Sequence, residues 1–415
     1  MSLAATASVA SRHGVIFVFL TVLLDMIGVG IIIPVLPQLI GSIAKVSVAE
    51  AAGIGGWMAA AYSLSQFFFA PLMGNLSDRF GRRPLLLVSI FGLGFDFLVQ
   101  ALAPTLGWLY LGRVLSGICG ASWVIANAYI ADVTPPEGRA KAFGLMGAAF
   151  GLGFIIGPAI GGILGMFGPR VPFYAAAAVS AANFAYGYFL LPETLKPENR
   201  RSFDLRRANP FGAFKVFSTY PSVLPMCGVL ALFFFFTSVY PAIWPFWAKA
   251  RFGWSELYIG ATLAGFGLVM ALFQGGLTGP VTRRFSERSV IIAGLISSGL
   301  ACFGYGIVWS LPMVIALMFV HGPEGFVHPM MTATMSKVVP ENAQGELQGG
   351  LSGLMNIATL LGQVFFAQVF RYFLTPGAPF QSPNVAFFIS SAGVAATLAM
   401  FLWLVPRQAA AVRHA

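Results

Sequence analysis

A chain of 415 residues that is 58% hydrophobic and only 9% charged cannot cover itself with polar surface in water, where soluble domains run at about 25% charged. The composition excludes an ordinary soluble domain. It also turns the net charge of +10 away from nucleic acid and toward loops held against an anionic membrane leaflet. Cys119, Cys227 and Cys302 lie in apolar runs at unrelated spacings. They fit neither a disulfide framework nor a metal pattern and read as small core residues.

With about 20 apolar residues needed per crossing, the sequence predicts six spans near 14–37, 53–73, 85–103, 108–131, 142–164 and 173–191. Six more are predicted near 222–244, 257–278, 290–308, 312–335, 347–370 and 386–405. The first apolar run is too long for a signal-peptide core and lacks a small-residue cleavage site, so it reads as a span. It holds Asp25, followed by Gly28, Gly30, Pro34 and Pro37. These glycines and prolines allow the helix to bend and line a cavity. A carboxylate at that depth costs at least a few kcal/mol, so Asp25 reads as a proton-titrating or cation-sensing group, or else as a hydrogen-bonded structural Asp.

The loop after the second span, GNLSDRFGRRP, carries Gly74, Asp78, Arg79, Gly81, Arg82 and Arg83. It reads either as a conformational latch between helices or as a solvated positive loop. Asp96 lies in the third span with no Lys or Arg within helical reach, so any ionic partner must come from another helix. Arg113, in the fourth span, cannot deprotonate and needs an anionic partner; Asp25 is the first candidate and Asp96 the second. In the fifth span Gly153, Gly157, Pro158, Gly161 and Gly162 give small-residue spacing with a proline, suited to close packing and a hinge.

Residues 192–220 form the longest polar segment and read as a cytoplasmic tether with a surface helix around 209–219. The chain then divides into 1–191, the linker 192–220 and 221–415. GNLSDRFGRRP at Gly74 is echoed by GPVTRRFSERS at Gly279, about half a chain further on. Duplicated halves with a site near the midplane are a usual plan of secondary transporters.

In the tenth span, HGPEGFVH places His321, Glu324 and His328 at i, i+3 and i+7, on one face of a continuous helix. Gly322, Pro323 and Gly325 would bend that helix. The trio suits a proton relay or a substrate site. It could bind a metal only with further ligands that the sequence does not supply, and a structural role stays open. For a largely apolar pocket with a few polar groups, the candidates are Gln66, Gln100, Trp123, Asn127, Phe235, Phe236, Trp244, Asn356 and Gln363.

Charge sets the expected orientation. Cytoplasmic segments take most of the 24 Lys and Arg, among them Arg79, Arg82, Arg83, Arg139, Lys141, Arg200, Arg201, Arg206, Arg207, Arg407 and Arg413. The opposite side keeps Lys45, Arg170, Lys249, Arg251 and Arg371. This bias places both termini in the cytoplasm. No phosphate-cradling Gly-rich loop ending in Lys-Ser/Thr occurs, which argues against direct ATP drive, and there is no G-x-S-x-G elbow.

Four stretches carry a family resemblance: LDMIGVGIIIPVLP (24–37), GNLSDRFGRRP (74–84), LGRVLSGICGA (111–121) and GFIIGPAIGG (153–162). Together they resemble the major facilitator superfamily, more narrowly its twelve-span drug/proton antiporters and above all tetracycline/proton antiporters. GFGLVMALFQ (265–274) and QGELQGGLSGL (344–354) extend the likeness more weakly into the second half. The resemblance implies an all-α membrane protein of twelve helices in two six-helix halves. It implies no cofactor and no enzyme activity, with a proton gradient as the energy source. Its partners would be protons, a small-molecule substrate and membrane lipid; the expected state is a monomer in a bacterial inner membrane.

The resemblance also places transport-relevant acids at Asp25 and Asp96. The chain departs from it in the second half. Tetracycline exporters carry a His in the eighth span and an Asp in the ninth, where this chain has Met270 and Ser298. Export of a drug-like, moderately apolar compound is the implied activity. The rival is a proton-coupled importer or facilitator of a sugar or organic acid, and the direction of flux separates the two.

Overall fold

The computed structural model describes residues 3–120, 122–135, 138–204, 209–340 and 343–405. Ala121, Arg206, Arg207, Arg407 and Arg413, all used in the sequence reading, lie outside the described residues. Within them the secondary structure is helical, without a β-strand. The chain runs α1 (Leu3–Ile31), α2 (Leu36–Ala44), α3 (Val48–Phe80), α4 (Arg82–Ala101), α5 (Leu106–Cys119), α6 (Ser122–Val133), α7 (Arg139–Gly165) and α8 (Val171–Leu190). It continues with α9 (Lys215–Thr219), α10 (Leu224–Thr237), α11 (Val239–Phe252), α12 (Glu256–Ala271), α13 (Thr278–Arg284) and α14 (Glu287–Ile307). The last are α15 (Leu311–His321), α16 (Val327–Ser336), α17 (Gln344–Tyr372) and α18 (Val385–Leu404).

Several predicted spans are pairs of helices joined end to end, as α10 with α11 and α15 with α16. Among the described residues ten helical stretches are long and apolar enough to cross a bilayer. Helices α3 and α8, at 33 and 20 residues, are long enough but richer in polar and small residues, which is consistent with twelve crossings.

Local chemistry sets the boundaries. The left-handed Lys45 ends α2. Ser47 and Glu50 then form a reciprocal capping box that starts α3, each side chain satisfying a backbone N–H that the helix cannot. Gly81, at φ +110°, divides α3 from α4 in a conformation that L side chains rarely adopt. Around 209–219, where a surface helix is expected, a 3-10 turn over Pro210–Phe214 leads into α9.

Two compact units emerge. The first comprises residues 1–212 with 243–268, and the second 213–242 with 269–415. Segment 243–268 therefore departs from the simple division at the linker. The reason is steric: the C-terminal part of α7 and the N-terminal part of α12 meet backbone to backbone, and a Cβ on Gly260 would stand 2.2 Å from the Pro158 carbonyl oxygen and 2.9 Å from the Gly162 Cα.

In the first unit α1 packs against α7 and α8, α4 against α8 and α5, and α3 against α5. Its core includes Val18, Val22, Met73, Leu86, Ile90, Ile125 and Tyr129. In the second, α14 packs on α18, and α10 on α17 and α18. That core is built from Met226, Leu230, Phe233, Val290, Leu295, Val327, Met331 and Phe401. Phe91, Phe95, Phe167, Phe189, Phe303, Trp309 and Trp403 are exposed. Such abundant apolar surface is what a membrane protein presents.

Candidate functional site

Asp25 sits on α1, buried. Asn183 of α8 donates its Nδ2 both to Asp25 Oδ1, at 3.0 Å, and to the Thr21 carbonyl, at 3.0 Å. Ser122, at the start of α6, also faces the carboxylate. No Lys or Arg among the described residues forms an ion pair with it. The amide therefore holds one oxygen while the other, Oδ2, accepts no protein hydrogen bond. Asn183 carried no signal in the sequence beyond being a polar residue in the sixth span.

Asp96 is fully buried on α4. One turn on, Gln100 donates Nε2 to Asp96 Oδ2 at 2.8 Å. From α5, Ser116 donates its hydroxyl to the same oxygen. Gln100 in turn accepts from Arg113 Nη2 at 2.9 Å. The charges Asp96 and Arg113 thus stand at the two ends of a relay through one amide, which uses its N–H toward the anion and its oxygen toward the cation. Arg113, matched first to Asp25 in the sequence reading, lies instead on the Asp96 relay. The reason is register: α4 packs directly on α5, and Gly112, which lies against Gln100 and Asp96, has no side chain to separate them. Gln100, singled out above for a pocket wall, is committed to this relay.

At the start of α4, Arg82 pairs with Asp78 of α3 at 2.6 Å and with Asp132 of α6 at 3.1 Å, and donates to Ser77 Oγ at 2.7 Å. Arg83 donates to the Tyr188 carbonyl at 2.7 Å. Arg79 stands over the Phe80 ring at 5.0 Å, and Gly74 lies against Val124 of α6. Glu193, just past α8, accepts from the Arg82 and Arg83 backbone N–H groups at 2.9 and 3.3 Å. The linker adds Arg201 N–H to the Asp78 carbonyl at 3.1 Å. The loop thus ties α3, α4, α6 and the start of the linker together. Asp132 and Glu193 escaped sequence reasoning because nothing local marks a lone acid at a span end.

The fifth-span residues face other helices. Gly153, Gly157 and Gly161 lie against Met26, Gly30 and Ile31 of α1, and Gly162 against α12. A Cβ on Gly161 would stand 2.0 Å from the Ile31 carbonyl oxygen. Helix α7 runs through Pro158 without interruption.

In the second unit the HGPEGFVH segment is not one continuous helix. Helix α15 ends at His321, a 3-10 turn covers Gly322–Phe326, and α16 starts at Val327. His321 Nε2 meets Glu324 Oε2 at 2.7 Å, and Ser298 of α14 donates to the same oxygen. His321 is buried against the Tyr240 ring, centroids 4.3 Å apart. His328 lies elsewhere, edge-on to Phe234 with centroids at 5.6 Å. The 3-10 turn is what separates it from the pair. Among the described residues no group of three metal-ligating side chains comes together.

The remaining pocket candidates have mixed surroundings. Gln66 donates to Tyr62 Oη and the Gly120 carbonyl, at 3.3 and 3.4 Å. Trp123 packs edge-on to Phe150. Trp244 is buried and donates to Thr262 at 3.2 Å. Phe235 packs on Phe365 and Phe366, and Phe236 on Gly393. Asn127 and Gln363 are half-buried and Asn356 is exposed.

Buried, oppositely charged side chains on a bundle of apolar helices define a membrane carrier that moves charge or solute. The Major Facilitator Superfamily model matches residues 18–243 and 226–415. The chain belongs to that superfamily. It is 38% identical over 361 residues to the tetracycline resistance protein, class C, of Escherichia coli, covering 87% of this chain and 90% of that one. It is 37% identical over 357 residues to the class E protein of the same organism, covering 85% and 87%. Among solved structures it resembles the human organic anion transporter MFSD10 (TETRAN), with a TM-score of 0.69 at 25% identity, covering 94% of this chain and 99% of that one.

Proposed function

We propose that this protein is a proton-coupled antiporter of the bacterial inner membrane that exports a moderately apolar, drug-like compound, with tetracycline the first substrate to test. It works as a monomer by alternating access of two six-helix halves, 1–191 and 221–415, joined by the cytoplasmic linker. Both termini are cytoplasmic, and the exposed aromatic and aliphatic side chains face lipid. The names of the relatives support the drug class. The observation that carries the coupling is the buried relay Asp96–Gln100–Arg113.

An ionised Asp96 holds the Gln100 amide and, through it, the guanidinium. Protonation removes the charge that the relay serves, so Arg113 loses its counter-charge and the α4–α5 contact changes energy. Asp25, held by Asn183, is a second acid at which a proton alters helix packing, here between α1 and α8. Glu324 and His321, with His328 near by in sequence, supply titratable groups in the second half. Only a difference in affinity between the two facing states can shift their equilibrium, and protonation of these groups supplies it. The Asp78–Arg82–Asp132 cluster holds the cytoplasmic ends of α3, α4 and α6 and governs turnover. Gly153, Gly157, Pro158, Gly161 and Gly162 provide the surface on which α7 turns.

The test is transport in proteoliposomes with an imposed pH gradient. Wild type accumulates tetracycline against its gradient, while Asp25→Asn and Asp96→Asn do not. Gradient-independent flux in wild type would refute coupling, and net flux toward the cytoplasmic face would refute export.

A further inference from the structure

We infer that Arg170 is a positioning residue of the Asp96 relay: its guanidinium grips the end of α4 and so keeps Gln100, one residue before that end, within reach of Arg113. The inference rests on the coupling role given to the relay above.

The end of α4 is written in the sequence at Pro104. A proline there has no N–H for the Gln100 carbonyl, and in a continued helix its ring would strike that carbonyl. It also disfavours helical backbone at Ala103. Helix α4 accordingly stops at Ala101. The last carbonyls of a helix need partners from elsewhere. Those of Leu98 and Gln100 are met by the N–H groups of Leu102 and Ala103, at 3.0 and 3.3 Å. Those of Ala101 and Ala103 accept from Arg170, from Nη1 and Nη2, both at 2.8 Å. Ala101 and Ala103 are each 0% exposed, so water does not stand in for the guanidinium, and a bond left unmade there carries the cost of a buried polar group.

Arg170 is fixed at its own end. Gly168, at φ +131°, turns the chain, and the Arg170 carbonyl then accepts from the Phe173 and Tyr174 N–H groups at 3.1 and 3.3 Å. One residue thus opens α8 with its main chain and closes α4 with its side chain. Its two donors belong to one planar fork, and its positive charge lies at the partly negative end of α4. Further along, a Cβ on Gly94 of α4 would stand 3.1 Å from the Ser180 Cβ of α8. Helix α4 is therefore seated on α8 both along its length and at its end.

That seat decides one half of the relay. Gln100 reaches Asp96 four residues back on the same helix, so this bond travels with α4. Its bond to Arg113 crosses to α5 and survives only while the last turn of α4 keeps its place. A Cβ on Gly112 would stand 2.4 Å from Gln100 Cγ, so the α5 backbone leaves the amide one narrow track.

The experiments use the full chain. Hydrogen exchange at the Leu102 and Ala103 N–H groups is read by mass spectrometry in lipid nanodiscs. Protection falls by about tenfold or more in Arg170→Met, the equilibrium equivalent of one hydrogen bond to a charged group. Unchanged protection would overturn the clamp. A cycle of Arg170→Met against Gln100→Leu is read as the unfolding equilibrium constant in detergent. It departs from additivity, because losing the clamp costs less once the amide is gone. Effects that combine independently to within about twofold, as those of separate sites do, would overturn the positioning role and leave Arg170 a helix cap. Arg170→Lys, which keeps the charge but not the fork, is carried through both measurements and moves in the same direction, so the inference is decided even where Arg170→Met does not fold.

Transport is read last. Gradient-driven drug/proton exchange in proteoliposomes falls in Arg170→Met, and adding Arg170→Met to Gln100→Leu lowers it by less than about twofold more. A larger further fall would overturn the inference by showing that Arg170 acts outside the relay. Full exchange in Arg170→Met, with the clamp and the cycle as expected, would leave the positioning in place and defeat the coupling role of the relay alone.

Discussion

Replacing Gln100 with Leu is the sharpest perturbation of the Asp96 relay. The two side chains are close in volume, so packing on α4 is preserved, and what disappears is one hydrogen bond to each charge. Gln100 donates to Asp96 at 2.8 Å and accepts from Arg113 at 2.9 Å. Hydrogen bonds to charged groups contribute about 1.5–3 kcal/mol each. Asp96 keeps its Ser116 partner, so the carboxylate end is not stripped bare.

The amide matters only while both charges are present. A cycle of Gln100→Leu against Asp96→Asn therefore shows a coupling energy of about 1.5–3 kcal/mol, the value of one such bond. The assay is the free energy of unfolding in detergent for wild type, the two single variants and the double. Effects that add to within about 0.5 kcal/mol, the behaviour of independent sites, would refute the relay and leave Asp96 and Arg113 as separate buried charges.

Other outcomes follow from the geometry. Asp25→Asn keeps an acceptor for Asn183 and so retains thermal stability within about 1 kcal/mol, the net value of an ordinary hydrogen bond, while exchange driven by the pH gradient is lost; equal loss of stability and exchange would show a purely structural Asp. Gly81→Ala places a side chain at φ +110° and 2.1 Å from Glu193, so it slows turnover and lowers the melting temperature, measured by flux and differential scanning fluorimetry. Arg82→Lys cannot serve Asp78, Asp132 and Ser77 together, because a single ammonium lacks the guanidinium's planar fork, and turnover falls with substrate affinity unchanged in a binding assay. Gly161→Leu drives a side chain into the Ile31 carbonyl, so membrane yield of folded protein collapses, as fluorescence size-exclusion chromatography would register.

Much of the fold was legible because lipid imposes a simple rule. Backbone groups in hydrocarbon must be satisfied within a segment, so apolar length alone marks a helix, and 58% hydrophobic residues leave no other class. Asp25, Asp96, Arg113 and Glu324 stood out for the same reason, since each charge is costly at that depth. Their partners did not. Asn183 reaches Asp25 from 158 residues away and Ser298 reaches Glu324 from 26, and a neutral Asn or Ser in an apolar run is too cheap to be conspicuous.

Arg113 shows the limit most clearly: its charge demanded an anion, but only the register of α4 on α5 chose Asp96 over Asp25. The tenth span shows another, since an i, i+3, i+7 spacing places three side chains on one face only if the helix continues. Pro323 and Gly294 together let the turn tighten against α14, keeping His321 with Glu324 and sending His328 to Phe234. Sequence determined which residues must be paired, because burial of charge is a local cost. Tertiary packing decided with whom, because distance between helices is set by the side chains that are missing, at Gly112, Gly161 and Gly294, as much as by those present.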